Sequence, residues 1–95
     1  MTRASATATQ MIDDARTRVT RFEFAAGAET GWHTHEFDYV ITAVTDCEML
    51  LEENGGQSRE VFVPAGTAYR RDAGITHNVV NDGGGPMAFV EVELK

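Results

Sequence analysis

From Arg18 onward the chain is cut into short runs of β-branched and aromatic residues by turns that carry glycine, at Gly27 and Gly31, Gly55–Gly56, Gly66, Gly74 and Gly83–Gly85. Glycine tolerates the left-handed backbone that tight turns demand, so this punctuation favours an all-β sandwich or barrel over a helical domain. Met11–Arg18 is the one stretch that scores as helical, but it is short, and Ile12, Val19 and the nearby threonines suit a strand equally well. A chain of 95 residues can bury one core and not two. A single domain over residues 9–95 is therefore expected, behind a loose tail over 1–8 that is rich in Ala, Thr and Ser.

Apolar residues make up 42% and charged residues 24%, a composition that folds rather than one that stays disordered. Fifteen acids against eight bases give a formal charge of −7, and no basic stripe exists to neutralise phosphates, which argues against nucleic acid as a partner. No apolar run approaches the roughly 20 residues a membrane helix needs, and the opening MTRASATATQ lacks the apolar stretch of a secretory signal. A soluble cytoplasmic protein is the expectation. Cys47 has no partner for an internal disulfide and reads as a small buried hydrophobe.

In Arg18–Phe24 the apolar Phe22 and Phe24 alternate with Arg21 and Glu23, the pattern of a half-buried strand. His33–Val44 reads as one extended segment. Cys47–Glu52 and Arg59–Val63 flank the hairpin turn Glu53-Asn54-Gly55-Gly56. Ala68–Arg71 and Thr76–Val80 flank Asp72-Ala73-Gly74, and a further hairpin at Asp82–Pro86 leads into Met87–Leu94, where Ala88, Val90, Val92 and Leu94 alternate with Phe89, Glu91 and Glu93.

The chemistry concentrates in three histidines. Period-2 alternation puts His33 and His35 on one face of a strand, where an i, i+2 pair can chelate a metal. His77, from a strand distant in sequence, would complete a facial set of three imidazoles and leave positions open for water or substrate.

Gly27-(X)5-His33-Thr34-His35 and Gly66-(X)5-Asp72-Ala73-Gly74-(X)2-His77-(X)3-Asn81 resemble the two motifs of cupins, G(X)5HXH(X)3-4E(X)6G and G(X)5PXG(X)2H(X)3N, with Asp72 in place of proline. The resemblance spans Arg18–Leu94 and implies a small single-domain double-stranded β-helix, a jelly-roll barrel, with His33, His35 and His77 as metal ligands. The glutamate window of motif one falls on Tyr39 and Val40, and its closing glycine is replaced by Cys47. Asp38 is the nearest acid and the candidate fourth ligand, but strict alternation points Phe37 and Tyr39 inward and Asp38 outward, so it would need a β-bulge to reach the metal. Without an acid the set resembles the three-histidine cupins, among which thiol and diketone dioxygenases hold Fe(II). Imidazole suits Fe, Zn, Ni, Mn or Cu, so the cofactor is a divalent transition metal of unspecified identity.

Tyr69 and Arg71 are expected to point together into the barrel near His77. Arg71 would anchor a substrate carboxylate as a bidentate fork, or else form a structural ion pair. Tyr39 and Tyr69 would donate or shuttle a proton, or serve as core. Arg70 and Trp32 are expected to face outward. The functional expectation is a metal-dependent oxygenase or lyase acting on a small organic acid; the alternatives are a non-catalytic small-molecule binding or sensing cupin and, by analogy with small cupins, an accessory protein of amino-acid or β-amino-acid catabolism. The resemblance also implies a homodimer, with the strand near Thr9–Asp14 the candidate for exchange.

Overall fold

The structure, a computed structural model, describes residues 2–95. Among them are nine strands: β1 (Thr7–Asp13), β2 (Thr17–Phe24), β3 (His33–Thr34), β4 (Asp38–Ala43), β5 (Cys47–Glu53), β6 (Ser58–Val63), β7 (Ala68–Arg71), β8 (Thr76–Asn81) and β9 (Met87–Leu94). They form two antiparallel sheets that face each other, one of five strands in the order β1-β2-β9-β4-β7 and one of four in the order β3-β8-β5-β6. This is the all-β jelly-roll barrel. None of its elements is a helix long and apolar enough to cross a membrane.

Two of the connections are local hairpins with clear chemical causes. The Asp14 carboxylate accepts hydrogen bonds from the amides of Arg16 and Thr17, both at 2.9 Å, and so closes the β1–β2 turn within the ambiguous Met11–Arg18 stretch. Gly55 and Gly56 turn the β5–β6 hairpin at φ +81° and +76°, a region L side chains enter only with strain. Three expected continuities are corrected. His33–Val44 is not one strand: β3 ends at Thr34 and the chain crosses to the other sheet before β4. Asp72–Gly74 and Asp82–Pro86 are likewise crossings between sheets, not hairpins, since β7 pairs with β4, β8 with β3 and β5, and β9 with β2 and β4. Glycine marks a turn, and only the facing of the two layers decides whether the chain turns back beside itself or over the core.

β1 begins at Thr7 rather than at Thr9, and ahead of it Ala6 donates its amide to the Glu29 carbonyl at 2.8 Å while the Glu29 amide donates to the Ala4 carbonyl at 2.9 Å. Short backbone pairing, invisible to composition, ties this segment down.

Inward-pointing Phe24, Ile41, Ala43, Cys47, Met49, Leu51, Val63, Val79, Met87 and Phe89 fill one end of the barrel. Phe89 packs between Phe22 and Phe24, with ring centroids 5.4 Å from each. Cys47 is a buried free thiol whose pKa is pushed up by burial, a small hydrophobe as expected. The other end is polar. Register aligns Arg18, Glu93, Tyr39 and Arg71 across the five-stranded sheet, and His33, His77 and Glu53 across the four-stranded sheet opposite.

Candidate metal centre

The three histidines meet at this polar end. His33 and His77 are direct cross-strand partners on β3 and β8, and His35 enters from the crossing that follows β3. The Nε2 atom of His35 lies 3.1 Å from that of His33 and 2.9 Å from that of His77. Nitrogens bound at about 2.1 Å to one ion at right angles lie about 3.0 Å apart, so both separations suit neighbouring ligands of an octahedral face. Proton accounting leads to the same place. His33 Nδ1 lies 2.8 Å from the Gly31 carbonyl, an acceptor only, so Nδ1 carries the proton and Nε2 presents a lone pair. A single proton on His35 Nε2 can satisfy one of its two neighbours, never both. A cation between the three nitrogens satisfies all of them.

Burial keeps the imidazoles of His35 and His77 neutral and ready to bind. Burial, with positive charge on His33 the next cause, lowers the His35 pKa to about 4. Burial, then His33 and His35, lowers that of His77 to about 3. His35 also stacks on Tyr39, with centroids 3.7 Å apart and planes 16° from parallel, which fixes its ring.

Asp38 is not part of the centre. Its side chain points outward as strict alternation requires, accepting the Ala73 amide at 2.8 Å and Arg70 at 3.0 Å, and no bulge turns it inward. The acids that do point inward are Glu91 and Glu93 on β9, each 8% exposed. Glu91 Oε1 lies 3.8 Å from His35 Nε2, and its pKa is pushed up to about 7 by burial and secondarily by Glu93. With His35 neutral this contact is not an ion pair. Glu93 has Arg18 at 3.5 Å. The alternation in β9 was readable in the sequence; its direction was not, because one parity held a phenylalanine with two acids and the other held only apolar residues, and the acidic parity faces the core.

Tyr39 is buried and its hydroxyl has no hydrogen-bond partner among the described residues; burial raises its pKa, so the phenol stays protonated. Tyr69, half-buried and raised likewise, lines with His33, His77 and Glu91 an interior cavity of about 10 Å³, the room of a single water. Arg71 is half-buried with Nη1 buried and unpartnered. It borders an open cleft of about 440 Å³ shared with Glu53, Gln57, Ser58 and Arg59. Arg59, which the sequence reading passed over, pairs there with Glu53 at 2.8 Å. Arg70 and Trp32 face outward, Trp32 at 58% exposure.

Comparison with known proteins agrees with this architecture. A 1.80 Å crystal structure of a cupin domain from Bordetella pertussis superposes with a TM-score of 0.95 at 41% identity, covering 100% of this chain and 98% of that one. A cupin of double-stranded β-helix fold from Methanocaldococcus jannaschii matches at a TM-score of 0.79 and 10% identity, covering 95% of this chain and 80% of its own, a likeness of fold alone. In sequence, the Beta-alanine degradation protein BauB of Pseudomonas aeruginosa is 45% identical over 93 residues, 98% of this chain and 97% of that protein. The family model of the Cupin domain matches residues 20–93, which take in β3 to β8, most of β2 and β9 and all three histidines, and the chain belongs to the cupin family.

Proposed function

We propose that this protein binds a divalent transition metal through His33, His35 and His77 and uses it to hold a small carboxylate-bearing molecule, acting as a metal-dependent oxygenase or lyase of amino-acid catabolism. The observation that carries this reading is the meeting of three Nε2 atoms that no arrangement of their own protons satisfies. A bound metal would supply Lewis acidity, an activated water, or a site where substrate and dioxygen meet. The chain's own residues supply the rest. The interior cavity admits no more than a water, so an organic ligand is expected to lie in the cleft at Arg71. There the half-buried Arg71 guanidinium would meet a carboxylate, and Arg59 adds a second cation at the rim. Tyr39, held as a phenol, is a donor rather than a base. The likeness to a protein named for β-alanine degradation supports a short amino acid, or a product of one, as the ligand class.

A second reading, a sensing or carrier cupin without turnover, is favoured by one feature: the acid that motif one would place among the ligands is absent, with Asp38 turned outward. The two readings part in one experiment, in which metal-loaded protein is given short carboxylic acids with and without an amino group. Binding is followed by calorimetry, turnover by substrate loss and oxygen uptake. The enzyme reading expects turnover that vanishes in His77→Ala; saturable binding without turnover selects the sensor. Arg71→Ala is expected to weaken carboxylate binding about tenfold or more, and equal affinity in that variant would remove Arg71 from the site.

Pairing of two copies belongs to the same reading. Ile12, Val19, Val92 and Val40 form a cross-strand apolar row on the outer face of the five-stranded sheet, and β1 at its edge is exposed along its whole length.

A further inference from the structure

Asn78 sits in the middle of β8 and is 1% exposed, although asparagine is a poor strand residue and a costly one to bury. Both ends of its side-chain amide are hydrogen-bonded. Nδ2 donates to Glu29 and to Glu52, both at 2.9 Å. Oδ1 accepts the Gly31 amide at 2.9 Å and lies 3.4 Å from the Thr30 hydroxyl, whose one proton goes to the nearer Gly31 carbonyl. The amide cannot be reversed, since flipping it would set an NH2 group against the Gly31 N–H and a carbonyl against two carboxylates.

The loop grasped in this way carries His33. Gly31 has φ +89°, which only glycine adopts without strain, and its carbonyl receives His33 Nδ1 at 2.8 Å and the Thr30 hydroxyl at 2.9 Å. Thr30 is itself held to β8: its amide donates to the Val79 carbonyl at 2.9 Å and its hydroxyl accepts the Val79 amide at 3.1 Å. On the outer side, Arg3 bridges the same two carboxylates, at 3.2 Å from Glu29 and 2.8 Å from Glu52. One strand thus presents His77 to the barrel interior and, one residue later on its other face, the side chain that holds the His33 loop.

We infer that Asn78 is a positioning residue of the metal centre: through Gly31 it fixes the ring orientation and tautomer of His33 relative to His77, and Arg3 closes the network from the N-terminal segment. The inference deepens the reading of His33 as a ligand and rests on it for its effect on metal binding. A histidine whose second nitrogen has a fixed acceptor presents its lone pair in one direction, and loss of such outer partners typically weakens metal binding 10- to 100-fold.

The test uses the full chain and two readouts. Long-range ¹H–¹⁵N correlation spectra of metal-free protein report the His33 tautomer, and cobalt(II) affinity is measured against a chelator. Wild type is expected to show a single Nδ1–H tautomer at His33. Asn78→Ala is expected to give a mixture of tautomers and cobalt affinity lower by about 10- to 100-fold. Val63→Ala, a core truncation outside the network, serves as the stability control and should change neither. Should Asn78→Ala fail to fold, Arg3→Ala and Glu52→Gln test the exposed end of the same network, where about two- to fivefold weaker cobalt binding is expected. Asn78→Ala with one tautomer and affinity within about twofold of wild type, or equal changes in Val63→Ala, overturns the inference, as does Nε2–H on wild-type His33. Without any cobalt binding by wild type, the metal reading falls while the tautomer readout still decides the role of Asn78.

Discussion

Strand β9 crosses two environments within eight residues on a single face: Met87 and Phe89 enter a packed apolar end, Glu91 and Glu93 a polar one. The apolar end closes on itself, with Phe22, Phe24 and Phe89 in contact and Cys47, Met49, Leu51 and Val63 around them. The polar end buries an acid beside three imidazoles and leaves Tyr39 Oη, Arg71 Nη1 and His77 Nδ1 without partners among the described residues. Buried polar groups in that condition cost stability. The packed end offsets the cost and holds the unpaired groups in place, which is how function concentrates where packing alone would choose otherwise.

The largest effect is expected from breaking the packed end. Phe24→Ala should cost about 3–5 kcal/mol of unfolding free energy by urea titration, since the 1%-exposed ring leaves a cavity. A loss under about 1 kcal/mol would show that this end is not the source of rigidity.

Relieving the polar end should act in the opposite direction. Glu91 has a folded pKa of about 7 against an ordinary 4.5, so its stabilising contribution is complete below pH 4.5 and is lost as pH rises through 7. Metal-free Glu91→Gln should therefore gain on wild type between pH 5 and 8, on the order of 2 kcal/mol. His35 and His77 carry the reverse sign. Their pKa values are lowered from 6.5 to about 4 and about 3, so stability falls as pH drops below 6.5. His77→Gln should flatten that acid limb, and chemical unfolding across pH 4–8 separates the contributions. An unchanged acid limb in His77→Gln would mean that His77 is not buried neutral.

The smallest effect on stability is expected outside both ends. Val19→Lys lies on the outer apolar row and should change unfolding free energy by less than about 1 kcal/mol. If two copies pair over this face, sedimentation should register the change as a loss of dimer; a wild-type monomer removes the pairing.

How much of this was legible in the sequence follows from what alternation can and cannot encode. His33, His35 and His77 were readable because their spacing is tied to the turns that carry them, and Asp38 was readable as outward by parity alone. Glu91 and Glu93 were not, since parity separates two faces without saying which is inside, and the apolar Val90 and Val92 point outward. Sheet crossings at Asp72–Gly74 and Asp82–Pro86 look like hairpins in sequence because a glycine turn has the same composition in both. Asn78 gave no signal beyond being an asparagine in a strand: its partners, Gly31, Glu29 and Glu52, are between 26 and 49 residues away.

The central claim is that three histidines hold one metal ion, and its most direct measurement is the metal content, by plasma mass spectrometry, of untagged protein purified without chelators, beside the His33→Ala/His35→Ala double variant. About one transition-metal ion per chain in wild type and essentially none in the variant is the result expected from the Nε2 geometry. Metal-free wild type that cannot be reconstituted with iron, zinc, nickel or manganese, or metal retained equally by the variant, would contradict it.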